Sequence, residues 1–216
     1  MTCVHIDELT LTMAIKKIKR SYRKVKFVFY KETLIDKKEH FFTFLGAFFG
    51  IAIIGFINSE HLVVNDNLFL IGSFGASSVL IYGAINSPLA QPRNLIGGHI
   101  VSALVGVTIH KLIPTELWLS SALSVSLSIV LMQVTKTLHP PGGATALIAN
   151  IGSEKIRNLG YFYVLSPVLT GVMVLFVIAL IFNNLTDNRS YPINKDYKRR
   201  LRFIFGIPKK GIFEEE

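Results

Sequence analysis

Leu138-His139-Pro140-Pro141-Gly142-Gly143-Ala144-Thr145-Ala146-Leu147-Ile148-Ala149 interrupts a chain otherwise composed for a lipid bilayer. A double proline cannot continue a helix: it lacks the N–H donor and clashes with the preceding turn. Two glycines then allow a sharp bend and close approach of neighbouring backbone. Small and apolar residues follow, suited to starting a tightly packed helix. Broken backbone at membrane depth is tolerated only where protein buries it or where it lines a watery cavity. The stretch therefore points to an interrupted crossing and to a ligand site in a transporter or channel.

The surrounding composition supports the membrane setting. Half of the residues are hydrophobic and mean hydropathy is +0.47. Between Phe41 and Phe182 the charged residues are Glu60, Asp66, Arg93, Lys111, Glu116, Lys136, Glu154, Lys155 and Arg157 alone. Most of the net charge of +9 lies in the two ends. The expected organisation is a basic cytoplasmic tail over 1–40, a transmembrane domain over 41–182, and a second basic tail over 183–216. Basic residues flanking spans are the ordinary cytoplasmic signal, so nucleic acid is not the expected partner. Tails on one side require an even number of crossings, four or six. The single cysteine, Cys3, excludes an internal disulfide. Asp7 and Glu8 interrupt the first apolar run, unlike a secretory signal. The richness in Lys, Ile, Phe and Asn reads as bacterial, which places the chain in the inner (plasma) membrane.

Leu11, Ile15, Ile18, Tyr22, Val25 and Phe29 recur at spacings of four and three, with Lys and Arg between them. This is a basic amphipathic helix. It either lies on the cytoplasmic leaflet, held by anionic lipid, or packs on the membrane domain or a partner. Long apolar spans are expected at about 41–57, 95–112, 117–134 and 161–182. Shorter broken segments fall at 68–85 and 138–152. The tail aromatics Tyr191, Tyr197, Phe203, Phe205 and Phe213 are expected to dock on the domain or on headgroups.

An internal echo organises these segments. Gly75-Ala76-Ser77-Ser78-Val79-Leu80 is matched 68 positions later by Gly143-Ala144-Thr145-Ala146-Leu147-Ile148. Arg93-Asn94-Leu95 is matched by Arg157-Asn158-Leu159. Each half reads long span, broken segment, long span. The fold class is thus all-α: a polytopic helix bundle of two tandem, inverted three-segment repeats, about 41–112 and 117–182. The alternative is chance, since Gly-Ala-Ser strings are common in membrane helices.

The site follows from the broken segments. A helix opened by Pro140 and Pro141 would aim the N–H groups of Gly142, Gly143 and Ala144 at an anion, with Thr145 and His139 adding side-chain donors. Gly75, Ala76, Ser77 and Ser78 would face them. Gln91, Arg93, Asn94, His99 and Lys136 are the vestibule or gating candidates, though headgroup anchoring is the commoner role for residues such as Arg93 and Lys136, and a structural hydrogen bond the commoner one for His99. No catalytic constellation, nucleotide loop or paired intramembrane carboxylate is visible, so neither enzyme nor cofactor is expected. A metal site from His99, His110 and His139 would lack the usual carboxylate or thiolate.

The sequence also resembles the HPP family of integral membrane proteins. The resemblance rests on Gly75-Ala76-Ser77, on Ser87-Pro88-Leu89-Ala90-Gln91-Pro92-Arg93-Asn94, on Gly97-Gly98-His99 and on Leu138 to Ala146. It implies four membrane spans, and it implies anion transport, because plant and cyanobacterial relatives are associated with nitrite. Some relatives add a C-terminal CBS pair, for which this tail is too short. The basic N-terminal helix departs from the family core. The expected function is a transporter or channel for a small monovalent anion, nitrite first. The rival is a non-transporting scaffold that binds lipid or a partner through its tails. A homo-oligomer is compatible with either.

Overall fold

The computed structural model describes residues 37–61, 72–186 and 188–193. The amphipathic segment 11–31 and the aromatics Tyr197, Phe203, Phe205 and Phe213 lie outside them. The chain divides into two compact units, Met1–His40 and Phe41–Glu216. Every described element is helical. In chain order these are α1 (Lys37–His61), α2 (72–83, ending in a π turn), α3 (Pro92–Leu112), α4 (Leu117–Val134), α5 (Pro140–Ile151), α6 (Glu154–Asn158) and α7 (Thr170–Phe182). A π turn, Val164–Leu169, leads into α7. Among the described residues, four helical stretches are long and apolar enough to cross a membrane: Lys37–Ile57, Pro92–Leu112, Leu117–Val134 and Val164–Phe182. α1 and α3 begin a few residues earlier than hydropathy suggests, because Lys37 to His40 extend the first helix and Pro92 opens the third.

The bundle is apolar outside and polar inside. Phe44, Phe48 and Phe56 on α1, Val130 and Val134 on α4, and Val177 and Ile181 on α7 face outward. Ser73, Ser77, Ser102, Ser120, Ser124, Ser128, Thr145 and Asn150 are buried. A water-soluble fold would place these the other way round.

Printed contacts fix the course of the chain. Thr43 Oγ1 donates to Tyr82 O at 3.2 Å, so α2 has returned to the end where α1 began. Asn183 Nδ2 donates to Ile81 O at 2.7 Å, which brings the end of α7 to the same place. Arg93 Nη2 donates to Thr135 O at 2.9 Å, joining the start of α3 to the end of α4. At the opposite end of α3, Thr108 Oγ1 lies 3.1 Å from Tyr161 Oη. Between Thr135 and Tyr161 the chain therefore passes from one end of the bundle to the other. The 12 residues of α5 supply about 18 Å of that pass. Extended residues 137–139 supply about 10 Å more, together close to a hydrocarbon core of about 30 Å. Among the described residues, α5 and its approach thus add a pass to the four full-length apolar helices, and α2 leads from the level of His99 back to the end where α1 began.

Small residues set the packing. A Cβ on Gly46 or Gly50 would meet the Tyr82 ring at 2.7 and 2.5 Å, so α1 is cut away to admit that ring. Gly55 faces open space. Gly98, Ser102 and Gly106 recur every four residues along α3 and face α5. A Cβ on Gly106 would lie 2.5 Å from Ala146 O. Ser120, Ser124 and Ser128 repeat the device on α4, where Asn150 Nδ2 donates to Ser124 Oγ at 2.8 Å.

The beginning of the C-terminal tail docks as expected for Tyr191. Its ring is buried and its hydroxyl donates to Ala90 O at 2.8 Å. Tyr191→Phe should cost about 1 kcal/mol of stability, the usual net worth of one such bond. Thermal unfolding of the purified protein in detergent measures it.

Candidate functional site

The residues singled out by the two broken segments meet in the centre of the bundle. His139 stands immediately before α5 in extended conformation (φ −140°, ψ 104°) because Pro140 follows it. Its ring packs 5.0 Å, centroid to centroid, from that of His99 on α3. Gly98 makes this possible: a Cβ there would lie 2.5 Å from His139 Cβ.

A chain of hydrogen bonds runs through the pair. His139 Nδ1 is 2.9 Å from Leu89 O. His139 Nε2 is 3.0 Å from Ser77 Oγ, which is 2.8 Å from His99 Nε2. His99 Nδ1 is 2.7 Å from Thr145 Oγ1. A carbonyl only accepts, so His139 Nδ1 donates to Leu89 O. With one proton on each ring, the arrangement that pairs all four ring nitrogens is the following. Ser77 donates to His139 Nε2, His99 Nε2 donates to Ser77, and Thr145 donates to His99 Nδ1. Ser73 O, 3.1 Å from Ser77 Oγ, is an alternative acceptor. All four side chains are fully buried. Ser77 and Thr145 are the echo-equivalent positions, 68 residues apart, and they grip the two nitrogens of a single imidazole.

The start of α5 differs from expectation in one respect. Pro140 and Pro141 carry no N–H, and the Gly142 N–H donates to His139 O at 2.8 Å. Of the backbone donors expected to face an anion, the Gly142 N–H is thus already in use, and the side chains of His139 and Thr145 stand beside this helix start. Gly142 is packed, its would-be Cβ 2.6 Å from Ser102 Oγ, whereas Gly143 has only Val125 near, at 3.8 Å. In α2, Gly75 borders open space, Ala76 is exposed, and Ser78 Oγ is buried without a hydrogen-bond partner.

Of the vestibule candidates, His99 lies in the buried chain, whereas Gln91, Arg93 and Asn94 lie at the Arg93 end and bond to backbone. Gln91 Nε2 donates to Ile85 O and Ser87 O, at 2.9 and 3.0 Å, while its Oε1 accepts from Ile193 N. Asn94 Nδ2 donates to Leu138 O at 2.7 Å and so holds the residue before His139. Lys136 is exposed in a turn with φ 57°. Among the described residues no three metal-ligating side chains cluster.

Sequence reasoning missed the scaffold of the site. The four-residue spacings Gly98-Ser102-Gly106 and Ser120-Ser124-Ser128 were there to be found. Tyr163 was also missed; its hydroxyl donates to Thr145 O at 3.0 Å. Nothing local marks that tyrosine.

The HPP transmembrane region, as a family description, matches residues 32–192. The chain belongs to the HPP transmembrane family. Two proteins of Dictyostelium discoideum, described only as transmembrane proteins, are each 46% identical over 161 residues. That match takes in 73% of this chain and 51% or 56% of theirs. The chain spans about half the length of these curated relatives. Both come from a eukaryote, so the Lys- and Ile-rich composition does not mark an HPP chain as bacterial. No solved structure matches.

Proposed function

We propose that this HPP protein is a membrane transporter or channel for a small inorganic monovalent anion, nitrite first. The observation that carries the reading is the buried Thr145-His99-Ser77-His139 chain at the broken crossing. Polar groups buried in the middle of a membrane bundle are costly and mark permeation paths more often than packing. The family resemblance adds the anion class. An anion entering here would take over donors now bonded within the chain: the Ser77 and Thr145 hydroxyls and the imidazole N–H groups of His99 and His139.

Two further assignments belong to this reading. The two three-segment halves are inverted repeats, and the Arg93 end is cytoplasmic, since both basic tails connect to that end.

The test is flux. Purified protein in liposomes should pass nitrite faster than empty vesicles. Equal rates with and without protein for nitrite, nitrate, formate and chloride would sink the proposal. The scaffold reading has one observation in its favour: with Leu89 O as the last acceptor, both nitrogens of each imidazole have a partner. It requires that Thr145→Val and Ser77→Ala lower stability and leave no transport defect beyond that loss.

A further inference from the structure

A second polar feature lies at the opposite end of α3 from Arg93. A cleft of about 310 Å³ opens between the end of α3, α5 and α6. Its polar lining is His110, Lys111, Arg157 and Asn158, and its floor includes Val107 and Ala149. Among the described residues, no acidic side chain lines it. His110 Nδ1 is buried and has no hydrogen-bond partner. Lys111 Nζ sits 5.5 Å from the centre of the Tyr161 ring. The Lys111 chain passes close to Gly160, where a Cβ would lie 3.5 Å from both Cε and Nζ, and the φ of +53° at Gly160 suits glycine.

Ordinary causes explain part of this set. Cations at the C-terminal end of a helix complement its dipole, which accounts for His110 and Lys111 on α3. Arg157 likewise stands in the last turn of α6, but it comes from another helix and joins them across the cleft. In the orientation proposed above this is the outer end, where Lys and Arg are ordinarily sparse, so topology does not call for them. The three cationic or imidazole groups converge without a counter-charge, around a nitrogen that lacks a partner.

We propose that this cleft captures a small monovalent oxyanion from solution, held by Lys111 and Arg157 as charges and by His110 and Asn158 as hydrogen-bonding groups. Its relation to the buried chain is direct. Ala149 on the floor is one helical turn, about 6 Å, from Thr145 on α5. An apolar cluster that includes Val107, Ile148, Ala149, Ile156 and Tyr163 stands between them. Tyr163, bonded to Thr145 O, is the part of that plug attached to the chain. The cleft is the loading site and the plug closes it from the interior. As a loading site it rests on the anion-transport reading; as an anion site it does not.

The experiment has two arms. In a Cys3→Ser background, Asn158→Cys in phosphatidylcholine vesicles is labelled with a cationic methanethiosulfonate reagent. Nitrite should slow labelling at least threefold relative to gluconate at equal ionic strength. Unchanged labelling overturns the site. Labelling slowed by added phosphatidylglycerol but not by nitrite also overturns it and identifies a lipid headgroup as the occupant. In the second arm, Lys111→Gln with Arg157→Gln should raise the half-saturating nitrite concentration for flux at least threefold, by more than any fall in maximal rate. An unchanged half-saturation point overturns the loading role. Protection from labelling in a protein that passes no nitrite would leave the cleft standing and remove the transport reading.

Discussion

His99→Ala should abolish most nitrite flux, by at least tenfold, and should also be the most destabilising substitution among the polar core residues. The ring is fully buried and holds two hydroxyls at 2.8 and 2.7 Å. Its removal takes a partner from both Ser77 and Thr145, leaving Thr145 Oγ1 only Pro141 O at 3.5 Å, and a buried group left unsatisfied costs about 1–3 kcal/mol. A cavity is left as well, which Phe74 lines from one side at a ring distance of 5.7 Å. The stability part is read from thermal or denaturant unfolding in detergent, and the flux part from liposomes loaded at equal amounts of folded protein. A double-mutant cycle of His99→Ala with Ser77→Ala should show a coupling of about 0.5–3 kcal/mol, as for residues in one network. Additive effects would mean that the bonds do not act as a chain. Full nitrite flux from folded His99→Ala would show that the chain serves packing alone.

Gly106→Ala is the second large effect, and it should act on folding. The added Cβ would lie 2.5 Å from Ala146 O and 2.9 Å from Ala146 Cα. These are backbone atoms of α5, so no rotamer change relieves the overlap and the helices must part. Overpacking of this kind costs about 1–3 kcal/mol. The comparison is Gly143→Ala, whose Cβ would meet nothing closer than Val125 at 3.8 Å and should stay within about 0.5 kcal/mol of the parent. Unfolding midpoints of the two variants, measured side by side in one detergent, give the result. Equal midpoints would mean that α3 and α5 are not packed backbone to backbone.

This contrast revises what the glycine pair after the prolines can tell. Read in sequence, Gly142 and Gly143 are equivalent and both are candidates to line a space. In the fold only Gly142 is pressed between Ser102, Gly98 and Met132, whereas Gly143 is not. Direction around a helix is a property of the partner helices.

Much else was legible without them. The membrane setting came from charge segregation and from apolar runs longer than a soluble core uses, and α4 begins and ends at the residues where hydropathy changes, Leu117 and Val134. The interrupted crossing came from Pro140 and Pro141, which forbid a regular helix through that point. The pairing of 75–78 with 143–146 picked out Ser77 and Thr145, because a local pattern repeated in order leaves a trace in one dimension.

What the sequence by itself determined, then, is composition-driven: a helical membrane bundle, two short broken segments among long spans, and the residue types placed in them. Tertiary structure alone decided that the segment opened by Pro140 carries the chain from one end of the bundle toward the other, that His99 joins the two broken segments, and that His110, Lys111 and Arg157 converge on one cleft. The reason is physical. Hydropathy and proline act on the backbone where they stand, so they can be read locally. Hydrogen bonds between Ser77, His99, His139 and Thr145 depend on which small residues let α3 and α5 approach, a condition that Gly98, Ser102 and Gly106 satisfy only once a partner lies against them.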